Sequence, residues 1–187
     1  MRFNEHSSLR GKHALLSPSQ GAWIDKTDEE FDQWYISSAM AAEIGTELHD
    51  MARVHIKHKI PMPDDGSTIS MYVNDAIEGK MHPEQELYYS YNCFGTADAI
   101  EFYDEERLLK IYDLKTGVHT ANIRQLVIYA ALFCLEYDVD PKTIDVELRI
   151  YQNSKVVVSY PQADDIIFYM QRIVERSARA AELRSST

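Results

Sequence analysis

The stretch that decides the fold is CFGTADAIEFYDEERLLKIYDLKTG, which runs from Cys93 to Gly117. Its pattern predicts two strands, ADAIEFY and RLLKIYDLK, which form a hairpin around the charged turn DEER. Asp98 lies in the first strand, and Asp113 and Lys115 lie at the end of the second. An unpaired charge in a protein core costs free energy, so these residues require an explanation.

Alternation along the second strand places Asp113 and Lys115 on one face, together with Leu109 and Ile111. If strand pairing brings Asp98 next to Asp113, their like charges repel, and a divalent cation relieves that repulsion. Carboxylate-rich sites suit Mg²⁺ or Mn²⁺. A lysine beside such a site can orient a water and stabilise charge on a phosphate oxygen. The alternative is an ordinary surface ion pair on an exposed strand.

Size and composition indicate a soluble globular protein. The chain has 187 residues, so we expect a single domain spanning residues 1–187. No apolar run approaches the roughly 20 residues needed to span a membrane, and no N-terminal signal segment is visible, so we expect no membrane partner. Cys93 and Cys134 lie in apolar surroundings, and we interpret them as buried free thiols. The net charge of -11 argues against simple electrostatic binding of nucleic acid, although it allows a local basic patch.

The remaining pattern predicts the element order helix, three strands, helix, two strands and helix, in an α/β domain with a mixed central sheet covered by helices. The longest helical stretch covers residues 27–59, capped by Thr27 or Asp28. Gly45 interrupts it, and we expect this glycine to let another backbone approach closely. The apolar stripe of this stretch comprises Ile36, Met40, Ile44, Leu48 and Met51.

Further elements follow from the same pattern. A short helix is predicted at Met71–Glu78, and a buried helix at Ala121–Asp138. A strand pair is predicted to turn at Asn153–Ser154, and a closing helix is predicted at Asp164–Arg184.

Four short segments occur in a characteristic order: GTELH, which ends at His49, then FGTADAIEF, IYDLKTG and QLVIY. Together they resemble the motifs of the PD-(D/E)XK nuclease superfamily, and most closely its RecB-type branch, which includes exonucleases of phages and of CRISPR systems. The resemblance implies a restriction-endonuclease-like fold and a Mg²⁺- or Mn²⁺-dependent nuclease that acts on DNA. It implies His49, Asp98, Asp113 and the Leu114 carbonyl as metal ligands, and Lys115 as the catalytic lysine.

The resemblance also implies a biological setting. We expect an exonuclease rather than a site-specific endonuclease, in DNA recombination, repair or phage DNA processing. The protein would then act in the cytoplasm of a bacterium or a phage-infected host cell, alone, as a homo-oligomer or with a recombination partner protein. Some relatives bind an iron–sulfur cluster through four cysteines, and this chain has two, so we expect no iron–sulfur cluster.

Several of these residues have alternative interpretations. His49 lies at the edge of the apolar stripe, where a core histidine is the alternative to a ligand, and Glu47 and Glu43 are further candidate ligands. Gln125 and Tyr129 are one helical turn apart. They form either an ordinary core pair or a pair that holds the lysine or contacts a DNA phosphate.

Two segments are candidates for binding DNA. The basic run Arg53–Lys59 follows His49 and offers Lys57 and Lys59, although a solvated helix end is the alternative. A helix start at Ser17–Gln20 offers Ser17 and Ser19 to a phosphate.

The rival function is a non-enzymatic acidic binding protein, either a DNA mimic or a nuclease-fold regulator. The combination of Asp98, Asp113 and Lys115 argues against it, because a mimic needs scattered carboxylates and no active-site lysine.

Overall fold

The computed structural model of the protein describes residues 27–35, 41–117 and 122–185. The chain divides into two compact units, Met1–Ile44 and Gly45–Thr187. In the first unit, helix α1 (Asp28–Tyr35) begins after Thr27, as predicted. Thr27 Oγ1 accepts a hydrogen bond from the Glu30 backbone, and the Glu30 carboxylate accepts one from the Thr27 backbone. This reciprocal pair is a capping box, which satisfies two N–H groups at the helix start. The expectation of a single domain stays a prediction.

The second unit contains one five-stranded sheet flanked by helices, which confirms the predicted α/β class with a mixed sheet. The strands lie in the order β1-β2-β3-β4-β5, and every neighbouring pair is antiparallel except β3 and β4. Parallel neighbours need a crossover, which α4 provides. The elements are α2 (Ala41–His58, which begins in the first unit), α3 (Thr68–Glu78), β1 (His82–Ser90), β2 (Cys93–Tyr103), β3 (Leu108–Leu114), α4 (Arg124–Glu136), a 3₁₀ turn (Pro141–Thr143), β4 (Asp145–Gln152), β5 (Lys155–Ser159) and α5 (Ala163–Ser185).

The predicted hairpin corresponds to β2 and β3. Ala99 pairs with Tyr112 and Glu101 with Lys110. One step beyond the last described pair, the same register brings Asp98 opposite Asp113. The predicted turn at Asn153–Ser154 joins β4 to β5, and both residues have φ near +50°, at 52° and 55°. Two consecutive left-handed residues are typical of a type I′ hairpin turn.

Strand β3 is buried on both faces because helices cover each side of the sheet. Leu109 and Ile111 pack in a core cluster with residues of α4 and α5. Tyr112 and Leu114 pack in a second cluster with residues of α2 and α3. A strand enclosed in this way reads as a nearly continuous apolar run, as LLKIYDL does. Asp113 is therefore unusual, because it is a charged residue in a strand that is otherwise mostly apolar and buried.

The long helical stretch differs from its prediction in two respects. The structure gives α1 and α2 there, and residues 36–40, which contain Ile36 and Met40 of the predicted stripe, lie outside the described residues. In α2, Met51 is exposed, whereas Ala52 and Ile56 are buried. The buried face of α2 is thus rotated by about one position, because small residues allow the helix to approach the sheet.

A network of charged and tyrosine side chains lies on the α3 side of the sheet, and we call it the Arg149 network. Arg149 pairs with Asp75 at 3.0 Å and with Glu147 at 2.9 Å, and its guanidinium lies 4.9 Å from the ring centre of Tyr112. The hydroxyl of Tyr151 donates to Asp75 at 2.6 Å. The last members are Lys110, 3.8 Å from Glu147, and Tyr112, whose hydroxyl donates to Glu147 at 3.1 Å.

Two further expectations concern cysteines and membranes. Cys93 and Cys134 are both free thiols. Cys134 is buried as predicted, but Cys93 is partly exposed because it begins β2 next to the hairpin turn. Within residues 27–35, 41–117 and 122–185, no helix has the length and apolarity needed to cross a bilayer.

Candidate active site

Three neighbouring strands bring three carboxylates together beside the end of β3. Glu84 lies in β1, opposite Asp98 of β2, because the pairs Pro83–Ala99 and Gln85–Ala97 flank them. Asp98 in turn lies opposite Asp113 of β3 by the hairpin register. Glu84 has φ of 53°, a left-handed conformation that is uncommon for a residue other than glycine. Such strained residues concentrate at functional sites.

Helix α2 contributes His49 to these acids. Gly45, His49, Ala52 and Ile56 recur at spacings of four, three and four, so they share one face, and Gly45, Ala52 and Ile56 are buried. His49 Nδ1 lies 3.6 Å from Asp98 Oδ2. One donor atom each from His49, Glu84 and Asp98 lie within 4.8 Å of one another. This spacing suits three ligands of a single cation.

Asp113 lies beside this group of three but is not one of its members. Its side chain is buried, and Lys115 Nζ is 3.0 Å from each of its carboxylate oxygens. Only the contact with Oδ1 has hydrogen-bond geometry, so Oδ2 is buried without a hydrogen-bond partner among the described residues. The role of Asp113 as a metal ligand stays a prediction.

The backbone of Leu114 reaches the same site. Its N–H donates to Asp98 Oδ2 at 2.9 Å, in place of a further ladder bond to β2. This bond fixes the Asp98 carboxylate at the point where the two strands separate. The predicted role of the Leu114 carbonyl as a ligand stays a prediction.

The electrostatics of the site favour neutralisation of its acids. Burial, together with the charge of Asp98, raises the pKa of Asp113 to about 6, although Lys115 opposes the shift. Burial likewise raises the pKa of Asp98 and that of Glu84. With His49 neutral, three carboxylates and the Lys115 ammonium leave a formal charge of about −2. A proton or a divalent cation would relieve this excess.

Helix α4 holds the lysine from the other side. Lys115 Nζ donates to Gln125 Oε1 at 3.1 Å, and Gln125 Nε2 lies 3.5 Å from the Tyr129 hydroxyl. Gly95 makes room for this tyrosine, because a Cβ there would lie 3.0 Å from the Tyr129 ring. The sequence left several interpretations of Gln125 and Tyr129 open. The contact between Gln125 and Lys115 supports the interpretation that these two residues hold the lysine.

Gly45 has the close neighbour that its prediction required, although the neighbour is a side chain rather than a backbone. A Cβ at Gly45 would lie 2.9 Å from Thr116 Oγ1. Gly45 precedes His49 by one helical turn, and Thr116 directly follows Lys115. The glycine therefore lets α2 approach the segment that carries the lysine.

The other predicted site residues lie away from this cluster or outside the described residues. Glu47 is exposed and does not belong to the group of His49, Glu84 and Asp98. The Glu43 side chain lies outside the part of the chain that the structure describes. Lys57 and Lys59 are exposed at the end of α2. Ser17 and Ser19 lie outside the described residues.

Glu84 is the functional candidate that sequence reasoning missed. The available signal was an acid that directly follows Pro83 in a strand-like segment rich in tyrosine. Its left-handed φ breaks the alternation of β1, so the pattern could not assign Glu84 to the face that meets Asp98.

Neither a protein-family model, nor a curated protein, nor a solved structure matches the chain. The resemblance to PD-(D/E)XK nucleases therefore rests on the sequence motifs alone.

Proposed function

We propose that the protein is a metal-dependent deoxyribonuclease with a PD-(D/E)XK fold, acting as an exonuclease in DNA recombination, repair or phage DNA processing. One observation carries the proposal: donor atoms of His49, Glu84 and Asp98 lie within 4.8 Å of one another, beside the pair of Asp113 and Lys115. The antiparallel β1-β2-β3 meander followed by parallel β4 supports the fold assignment.

The residues fit a divalent cation. The donor set is one imidazole nitrogen and two carboxylate oxygens, and such a mixed set favours Mn²⁺ somewhat relative to an all-oxygen site. The buried Asp113 Oδ2 has no hydrogen-bond partner among the described side chains, and a cation that also contacted Asp113 would satisfy it. A charge of +2 would also balance the excess negative charge of the cluster.

The chain's own residues then have distinct tasks. A divalent cation bound at this site would supply Lewis-acid polarisation of a phosphoryl oxygen. Two of the three N–H groups of Lys115 donate to Asp113 and Gln125, so the third is available to a water or a phosphate oxygen. Gln125 keeps that donor oriented, and the Leu114 N–H keeps Asp98 in place. Such preorganised donors are the main source of stabilisation in phosphoryl transfer.

The experiment is a cleavage assay on linear and covalently closed circular duplex DNA at equal mass, with Mg²⁺, Mn²⁺ or excess chelator. We expect metal-dependent degradation of the linear DNA from its ends and no cleavage in chelator. In the same assay the Lys115→Met variant should lose activity, and its matched control is Lys110→Met, which removes a lysine of β3 outside the site.

Other outcomes would redirect the proposal. Cleavage that continues in chelator would rule out the metal mechanism. Discrete cutting of the closed circle would indicate an endonuclease. Absence of cleavage with both metals, together with inhibition of a DNA-binding partner, would favour the non-enzymatic acidic protein instead.

A further inference from the structure

Two adjoining grooves lead away from the candidate active site. The first, of about 460 Å³, lies between the start of β2 and α4, and it includes Gln125, the residue that contacts Lys115. The second, of about 240 Å³, lies between the β1–β2 turn and α5. Both are lined by Cys93 and Ile128, so they meet there. We call the combined surface the arginine groove, after its cationic residues Arg124, Arg172 and Arg176.

The charge of the arginine groove is opposite to that of the protein. Among the described residues that line it, three are arginines and none is an aspartate or glutamate, although the net charge of the chain is -11. Arg124 and Arg176 form no ion pair with any described residue, whereas Arg172 pairs with Glu175 at 3.2 Å. By contrast, a groove of about 520 Å³ beside the Arg149 network includes acids as well as cations in its lining. A surface of one charge sign in an oppositely charged protein indicates a polyanionic ligand.

An aromatic side chain on the wall of the groove indicates which class of polyanion would bind there. Phe94 is 67% exposed, although it is a large apolar residue, and it lines the part of the groove next to Gln125. Cationic grooves with exposed aromatic rings are typical of proteins that bind single-stranded nucleic acid, because unpaired bases stack on the rings. Paired bases in a duplex do not offer their faces in this way.

We propose that the arginine groove binds a single-stranded segment of DNA and guides it to the candidate active site. Arg124 and Arg176 contact its phosphates, and an unpaired base stacks on Phe94. The inference deepens the proposed function and rests on it, because Gln125 links the groove to Lys115. It also assigns the main phosphate contacts to α4 and α5, rather than to Lys57 and Lys59 on α2.

The test is fluorescence anisotropy of labelled oligothymidylate in excess chelator, so that binding is measured without cleavage. For the full-length Arg124→Gln/Arg176→Gln variant, we expect the slope of log K against log salt to flatten by about 1.4, because each phosphate contact on a single strand contributes about 0.7. The matched control, Lys57→Gln/Lys59→Gln, should keep the parental slope. Phe94→Leu removes no charge, so it should keep the slope while weakening affinity about fivefold or more.

The outcomes separate this inference from the proposed function. If the salt slope of the arginine variant is unchanged, the arginine groove is not the DNA-binding surface. The same conclusion follows if the slope flattens only in the lysine control. An unchanged affinity in Phe94→Leu overturns the stacking contact. If the parental protein binds oligothymidylate through these arginines but cleaves no DNA with Mg²⁺ or Mn²⁺, the groove stands and the nuclease proposal fails. If the arginine variant cleaves DNA with an unchanged KM, the nuclease stands and the groove fails.

Discussion

The sheet supports two clusters of charged side chains, the candidate active site and the Arg149 network, and they differ in how their charges are balanced. In the Arg149 network, the two acids Asp75 and Glu147 face two cations, Arg149 and Lys110. In the candidate site, three acids face a single ammonium group. Both clusters are partly or wholly buried, where an unbalanced charge costs free energy.

From this difference we infer that the Arg149 network stabilises the fold, and we propose the candidate site as the place where a ligand binds. In the Arg149 network, the charges of the two acids are balanced by cations, and Tyr112 and Tyr151 add hydroxyl donors. The candidate site has an excess of acids with raised carboxyl pKa values, and perturbed groups of this kind concentrate at functional sites. Four substitutions would break or sharpen this distinction.

The largest expected effect is that of Lys115→Met on catalysis. We expect the rate of DNA cleavage to fall about 100- to 1,000-fold, because one preorganised donor to the developing charge is lost. Metal affinity, measured by calorimetric titration, should fall little, since lysine is not a ligand. Cleavage at the parental rate would mean that Lys115 is a structural ion-pair partner, like Lys110 in the other cluster.

Arg149→Met should affect stability rather than chemistry. It leaves Asp75 and Glu147 without their main cation, so we expect the free energy of unfolding to fall by about 2–3 kcal/mol in urea denaturation. Metal affinity of the folded variant should match that of the parental protein. A selective loss of metal binding at unchanged stability would contradict the structural role of the network.

Glu84→Gln tests the ligand that the sequence pattern did not reveal. We expect metal affinity to fall about tenfold or more, because a neutral amide is a poorer ligand and the site loses one negative charge. The matched control is Glu86→Gln, an exposed acid two residues along the same strand. Equal affinities of the two variants would exclude Glu84 from the metal site and leave Asp113 as the third ligand.

The smallest expected effect is a gain of stability in Asp113→Asn, measured without metal. The pKa of Asp113 rises from 3.8 to about 6 on folding, so between these values the folded protein holds a proton that the unfolded chain releases. This group therefore destabilises the protein increasingly as pH rises through that window. Removing its charge should raise the free energy of unfolding at pH 7 by about 1 kcal/mol, since the lost bond to Lys115 offsets part of the gain.

The pH dependence of the free energy of unfolding tests whether the Asp113 carboxylate destabilises the folded protein. The parental protein should lose stability relative to Asp113→Asn between about pH 4 and pH 6, and the difference should stay constant above that range. Asp145→Asn, an exposed aspartate at the start of β4, serves as the control. A variant that is less stable than the parental protein at pH 7 would show that the ion pair with Lys115 outweighs burial.

The central part of the fold could be predicted because local patterns determine it. The DEER turn and the alternation around it placed Asp98 and Asp113 on neighbouring strands, and the element order was confirmed from β1 to α5. The buried face of α2 was placed one position away from where it lies, because Ala52 is small and weakly apolar whereas Met51 has the stronger signal. Helix periodicity identifies the buried face of a helix only when large apolar residues lie on that face.

The arrangement of the site depended on contacts that no local pattern contains. Glu84 meets Asp98 through a register and a left-handed residue in β1. The arginine groove joins α4 to α5, and Arg124 and Arg176 are more than fifty residues apart in sequence. Lys57 and Lys59, by contrast, are conspicuous in the sequence because they lie two residues apart in one basic run, and their role in DNA binding stays a prediction.

The contact between Gly45 and Thr116 has a consequence for how this protein can change. His49 and Lys115 come from separate elements, and a Cβ at position 45 would lie between these elements, 2.9 Å from Thr116 Oγ1. A small side chain at position 45 would therefore be accommodated when the exposed Thr116 side chain rotates away. A graded series of larger side chains there would push α2 away from the segment that carries Lys115, and so would separate His49 from the lysine step by step.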